Sequence, residues 1–81
     1  MTYRLDIPAD QHDIYKNLPD DARRDIASCL VDAVHDPLGV SEPYGEDDGI
    51  VRTLARGRAA VVILIGEQTS TITVLAIAYA G

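Results

Sequence analysis

Three arginines, Arg52, Arg56 and Arg58, fall within seven residues of each other in the second half of an 81-residue chain. A guanidinium is a planar fork that stays protonated and binds phosphate bidentately. A set of them on one surface is suited to holding a phosphate or a developing negative charge. Residues 1–48 hold four bases and twelve acids, hence −8, while residues 49–81 hold these three bases and Glu67, hence +2. Phosphate neutralisation supplies most nonspecific binding to nucleic acid. A chain with a net charge of −6 is therefore repelled as a whole, and any RNA contact has to be focused on the arginine side. The same charges have a plainer reading. A net charge away from zero keeps a small protein soluble, and arginines on edge strands discourage pairing between sheets. From the residues alone both readings stay open.

Other groups capable of chemistry are sparse. Tyr79 brings a phenol to the end of the last apolar run, where a tyrosine can equally seal a core rim with its hydroxyl in water. His12 and His35 have no Cys or carboxylate at metal-ligand spacing, so no metal site is expected, and no cofactor is called for. Cys29 is the single cysteine, which leaves no intrachain disulfide or Cys-based zinc site and suits a small core hydrophobe. Ser41 and Ser70 lack the context of a nucleophile. Glu42, Glu46, Asp47 and Asp48 read as a solvated acidic loop. No N-terminal segment joins basic residues to an apolar stretch, and the longest apolar run is too short to span a bilayer. A cytoplasmic protein with no membrane attachment is expected.

The chemistry hangs on a sheet. Ile50–Ala55 reads as a short strand, Gly57 as a turn and Ala59–Ile65 as a nearly unbroken apolar run; Thr69–Ala78, rich in Thr, Val and Ile, follows a Gly66-Glu67-Gln68 turn. β-Branched side chains lose little χ1 freedom on a pleated surface, and runs joined by short Gly or polar turns predict an antiparallel meander. Upstream, Tyr3, Leu5 and Ile7 alternate with polar neighbours, the period of a half-buried first strand. Pro8 ends that strand and opens a helix over Ala9–Leu18, with Ala9, His12, Tyr15 and Leu18 at helical spacing. Pro19 breaks this helix and restarts another, with Asp20 and Asp21 placed against its N-terminal dipole. Ala22, Ile26, Cys29, Leu30, Ala33 and Val34 make one apolar stripe on the second helix. Pro37 stops it, and residues 37–49, with two prolines and three glycines, predict an irregular loop.

The expected fold is α+β in the order β-α-α-β-β-β. It is a twisted antiparallel sheet that the first strand joins, with two helices packed on one face and the other face partly open. A single domain spans residues 1–81. At this size about 60% of the unfolded surface can be buried, so a partner that shields the open face would help.

Taken in order, several pieces carry a resemblance. They are Tyr3-x-Leu5-x-Ile7, Leu18-Pro19 between the helices, Asp36-Pro37 after the second helix and Arg52-Thr53-Leu54. Gly57-Arg58 then opens a strand in the manner of a Gly-x-Tyr-Arg-Val segment, and Thr71 through Tyr79 closes the set. The ordered set resembles the RelE/ParE toxin superfamily of type II toxin–antitoxin modules. That resemblance implies a metal-independent endoribonuclease that inhibits translation by cleaving messenger RNA on the ribosome. In such a reaction the ribose 2′-OH attacks the adjacent phosphate while arginines hold the developing charge. It matches Arg52 to the arginine of the second sheet strand and Arg58 to a phosphate-binding arginine, and it puts Tyr79, as a catalytic group, near where the family has a His-Arg pair or a terminal tyrosine. Arg56 stands near them as an RNA contact, and Glu46 lies where some relatives place a carboxylate, as a general base.

The chain also departs from the pattern. Its only lysine is Lys16, and Ala80 stands where the family carries an arginine after the last strand. These departures favour an alternative, a non-cleaving member that works by protein contact with an antitoxin or DNA gyrase. Both readings imply a cognate antitoxin that covers the open face. The exposed β-rich segments VVILI and TITVLAI predict a homodimer when the chain is alone.

Overall fold

Residues 2–46 and 48–80 are described by a computed structural model of the chain. Proline sets both helix starts. β1 (Arg4–Asp6) leads to Pro8, whose carbonyl accepts the first helical bond from the His12 N–H at 2.9 Å and begins α1 (Ala9–Lys16). Pro19 does the same for the Arg23 N–H at 3.0 Å, beginning α2 (Asp20–His35). The ring pre-sets φ, and the missing N–H is no loss at a helix start. Asp10, Asp20 and Asp21 lie in the first turns, where carboxylates complement the dipole. α1 ends two residues before the predicted limit. Asn17 turns the chain there, its N–H reaching back to the Ile14 carbonyl at 3.2 Å and its side-chain amide to the Asp13 carbonyl at 2.9 Å.

The second half forms β2 (Glu42–Pro43), β3 (Val51–Arg56), β4 (Ala59–Gly66) and β5 (Thr71–Tyr79) in a five-stranded sheet ordered β1-β5-β4-β3-β2. The antiparallel meander β3-β4-β5 is as predicted, and two features refine the expectation. First, β1 joins β5 in parallel, Leu5 opposite Ile72, so the sheet is mixed. The two helices return the chain to the end where β1 began, so β3, and after two reversals β5, run in the direction of β1. Second, the predicted loop 37–49 contains the two-residue strand β2, paired with Arg52 and Thr53 of β3. Pro43 is tolerated there because β2 is an edge strand.

Strand alternation and the α2 stripe meet in a single core. Ala59, Val61, Ile63 and Ile65 of β4 turn inward with Leu54, Ile72 and Val74 against Ile26, Cys29, Leu30 and Ala33 of α2. One irregularity in β5 decides the placement of its last residues. Ile63 pairs with Val74 but Val62 with Ala76, so Leu75 is an extra, unpaired residue, 43% exposed. A bulge of this kind shifts the side-chain period by one. Ile77 and Tyr79 therefore join Ile72 and Val74 on the helix-covered face and pack against the core margin.

Among the described residues no helix lies over the opposite face. Thr53, Ala55, Ala60, Val62, Leu64, Thr73, Ala76 and Ala78 present a small-residue, uncharged surface on the three central strands, partly exposed throughout. Among the described residues no helix is long and apolar enough to cross a membrane.

Candidate functional site

The β3–β4 hairpin turns on two residues, Gly57 and Arg58, between the paired residues Arg56 and Ala59. Gly57 has φ +61°, which suits the first central position of a type II′ turn and strains any residue with a Cβ. A second demand falls on the same position: a Cβ there would stand 2.5 Å from Asp25 Oδ2. The hairpin tip thus rests on the side of α2.

Two predicted site residues meet at this end of the sheet. Ala59 pairs with Tyr79, and the Ala80 N–H donates to the Arg58 carbonyl at 2.8 Å. The backbones of Arg58, in the turn, and Tyr79, at the end of β5, are accordingly close. Arg58 is exposed, and its side chain has no hydrogen bond or ion pair among the described residues. Tyr79 is half-buried, its ring against the core.

Arg56 lies at the same end but its fork is engaged. One arm donates to Asp32 Oδ2 at 2.9 Å and the other to the Ser28 hydroxyl. Both partners of the ion pair are about half exposed, 46% and 43%, so the contact is worth about 0–1 kcal/mol and can be exchanged for another anion. Asp25, Ser28 and Asp32 were not among the predicted site residues. Their spacing was the available signal: three, then four residues apart, they share one flank of α2 beside the apolar stripe.

Arg52 is placed elsewhere and differently. It is only 8% exposed, four residues before Arg56 on β3, a separation of roughly 13 Å. Its Nε donates to Ser41 Oγ at 3.0 Å, and Nη2 donates to the Ser41 carbonyl at 2.7 Å and the Leu38 carbonyl at 3.4 Å. Ser41, equally buried, donates its hydroxyl to the Pro37 carbonyl. These bonds to Leu38 and Ser41 hold the segment 37–41 against the sheet.

Glu46 is exposed in the loop between β2 and β3, near the start of β3, since the Tyr44 N–H reaches the Val51 carbonyl at 3.3 Å. That is the end of the sheet away from Arg58 and Tyr79. Asp48 anchors the same loop by accepting the N–H groups of Ile50 at 2.9 Å and Val51 at 3.2 Å, bonds that hold its carboxyl below the usual value. Asp47 lies outside the described residues. Beneath the hairpin, burial pushes the Cys29 thiol above its ordinary value; Arg56 opposes the rise, and Asp32 and Asp25 add to it. Among the described residues no group of His, Cys, Asp and Glu is arranged to hold a metal ion.

No protein-family model matches this sequence, and no curated protein matches it. Solved structures do match its shape. The isolated E. coli RelE toxin superposes with a TM-score of 0.81 over 98% of this chain and 85% of that one, at 16% identity. The chain has the RelE toxin fold. A TM-score of 0.76 relates it to the toxin–antitoxin complex RelBE2 from Mycobacterium tuberculosis, over 98% of this chain and 99% of that one at 18% identity. The archaeal RelE–RelB complex from Pyrococcus horikoshii gives 0.74, covering all of this chain and 98% of that one, also at 18% identity. The RelE fold therefore accounts for both helices and the whole sheet, with the hairpin and the end of β5 at one rim.

Proposed function

We propose that the chain is the toxin-like component of a type II toxin–antitoxin module and acts on messenger RNA as a metal-independent endoribonuclease. The observation that carries this reading is the placement of an exposed, uncommitted Arg58, in the β3–β4 turn, beside the end of β5, where Tyr79 pairs with Ala59, on a RelE fold. Arg58 would grip the scissile phosphate through its fork and stabilise the charge that grows there. Tyr79, beside it, would exchange a proton with the attacking 2′-OH or the departing oxygen. Arg56 would add a phosphate contact by giving up Asp32, and the cost is small because that pair is half in water. Arg52 would serve at a distance, by holding residues 37–41 in place.

A cognate antitoxin is the proposed partner, since the similar structures include RelE–RelB complexes, with the ribosome and its messenger RNA as target. The experiment is induction of the chain in cells followed by primer extension on messenger RNA. New cleavage ends in the wild type, absent in Arg58→Ala, support the proposal; an intact message sinks it.

One observation favours a second reading. The uncovered face of the sheet is made of Ala, Thr, Val and Leu with no base on its three central strands, a surface better matched to protein than to RNA. A non-cleaving member that binds an antitoxin or DNA gyrase through that face, or pairs with a second copy of itself, fits it. Growth arrest with normal translation would select this reading, and light scattering over a concentration range tests the homodimer.

A further inference from the structure

On the flank of α2 opposite Asp25 and Asp32, the helices and β1 enclose a cleft of about 420 Å3. Leu5, Ile7, Ala27, Leu30, Val31 and Val34 give it aliphatic walls. Those walls are tied to each other. The Tyr3 N–H donates to the Val34 carbonyl at 2.9 Å, joining the β1 side to α2, and Arg23 donates to the Lys16 carbonyl at 3.4 Å, joining α1 to α2. The cleft is thus formed before any ligand arrives. Protein cavities that hold small molecules are typically about 300–1,000 Å3, mainly apolar, with a few polar groups that fix orientation.

Here the polar groups have a particular character. His12 of α1 and His35 of α2 both line the cleft, as do Tyr15 and Thr2. None of the lining residues is an acid, in a chain with 13 acids against 7 bases. An imidazole donates an N–H whether neutral or protonated, so the two rings offer donors to an acceptor or anion at the apolar wall. Val31 at 58% and Leu5 at 37% exposure leave apolar surface in contact with water, surface that an aliphatic ligand would cover. Neither the arginine hairpin nor the open sheet face shares this combination.

We propose that the cleft binds an aliphatic chain with an acidic head, a medium-chain carboxylate, the chain lying against Leu5, Leu30 and Val31 and the head at His12 and His35. The net charge of −6 works against such a ligand at long range, so its selection rests on the local donors. This proposal is independent of the ribonuclease reading.

The test is titration of the full chain with octanoate, octylammonium and octanol, followed by NMR of backbone amides and methyl groups. Octanoate is expected to shift Ala27, Val31 and His35, and to bind about tenfold or more tightly than octylammonium, the gain of a charge-assisted hydrogen bond. Val31→Trp, which fills the cleft from an exposed position, is expected to remove binding while the melting curve stays put. Should that variant fail to fold, Val31→Glu places a carboxylate at the same lip and must weaken octanoate binding at least as strongly. Replacing His12 and His35 by alanine together is expected to erase the preference for octanoate over octanol. Equal or tighter binding of octylammonium, shifts gathered on the open sheet face, or binding unchanged in Val31→Glu overturns the proposal, as does an absence of shifts with octanoate.

Discussion

Replacing Arg52 by alanine separates a clamp from a catalyst. Among the described residues the wild-type guanidinium donates to Ser41 Oγ and to the Ser41 and Leu38 carbonyls, and it is 8% exposed. A hydrogen bond from a charged donor is worth about 1.5–3 kcal/mol net, and a buried acceptor left alone costs about 1–3 kcal/mol. These contributions overlap, because all three serve one segment; about 3 kcal/mol is a fair total for the variant, within the range of known large effects. An 81-residue chain is typically stable by about 4–12 kcal/mol. The loss would therefore lower Tm by about 12–24 °C at about 4–8 °C per kcal/mol for a domain of this size. Arg52→Lys keeps the charge but cannot reproduce the fork, and should fall between the two. The assay is urea and thermal unfolding followed by circular dichroism, alongside RNA cleavage measured well below the melting range. A stability change under about 0.5 kcal/mol, the scale of an ordinary surface substitution, together with abolished cleavage, would refute the clamp and return Arg52 to the reacting phosphate.

Three further outcomes follow from the hairpin and the core beneath it. Gly57→Ala meets both a positive φ of +61° and the Asp25 carboxylate; it should destabilise by about 1–3 kcal/mol, and adding Asp25→Gly should recover part of the loss in unfolding measurements. Arg56→Ala should change stability by no more than about 1 kcal/mol, and the wild-type advantage should shrink as salt rises, read from urea midpoints at low and high ionic strength. Cys29 is held protonated by burial, its folded value raised above that of the unfolded chain. Its stabilising contribution is therefore full at neutral pH and declines as pH climbs through the ordinary thiol value toward the raised one. Comparing unfolding of wild type and Cys29→Ala across that range should show the decline in the wild type alone, with slow iodoacetamide modification of the folded chain.

Local signals carried most of the elements, and pairing carried what they missed. Pro8 and Pro19 marked the helix starts because proline acts on its own neighbours. β1 beside β5 could not be read the same way: Leu5 and Ile72 are distant in the chain, and no turn residue records their contact. Leu75 hid the bulge, since an apolar residue in an apolar run looks like part of the period. Only the register places Tyr79 on the helix side. Arg52 was misleading for a related reason. Two residues before buried Leu54 on β3, it shares the inward face, a fact that alternation does contain but that reading the three arginines as one surface set passes over. Arg58 and Tyr79 were recognisable by type, but their adjacency came from the Ala59–Tyr79 pairing.

The most direct measurement is single-turnover cleavage of messenger RNA on programmed ribosomes by wild type, Arg58→Ala and Tyr79→Phe, each checked for an unchanged melting curve. Losing a donor aimed at transition-state charge typically costs about 100-fold or more. The rate should fall by that much in Arg58→Ala and substantially in Tyr79→Phe, with the same cut position in any residual product. Wild-type protein that leaves the message whole, or an Arg58→Ala variant that cuts at the wild-type rate, would contradict the assignment of the strand-end pair to RNA.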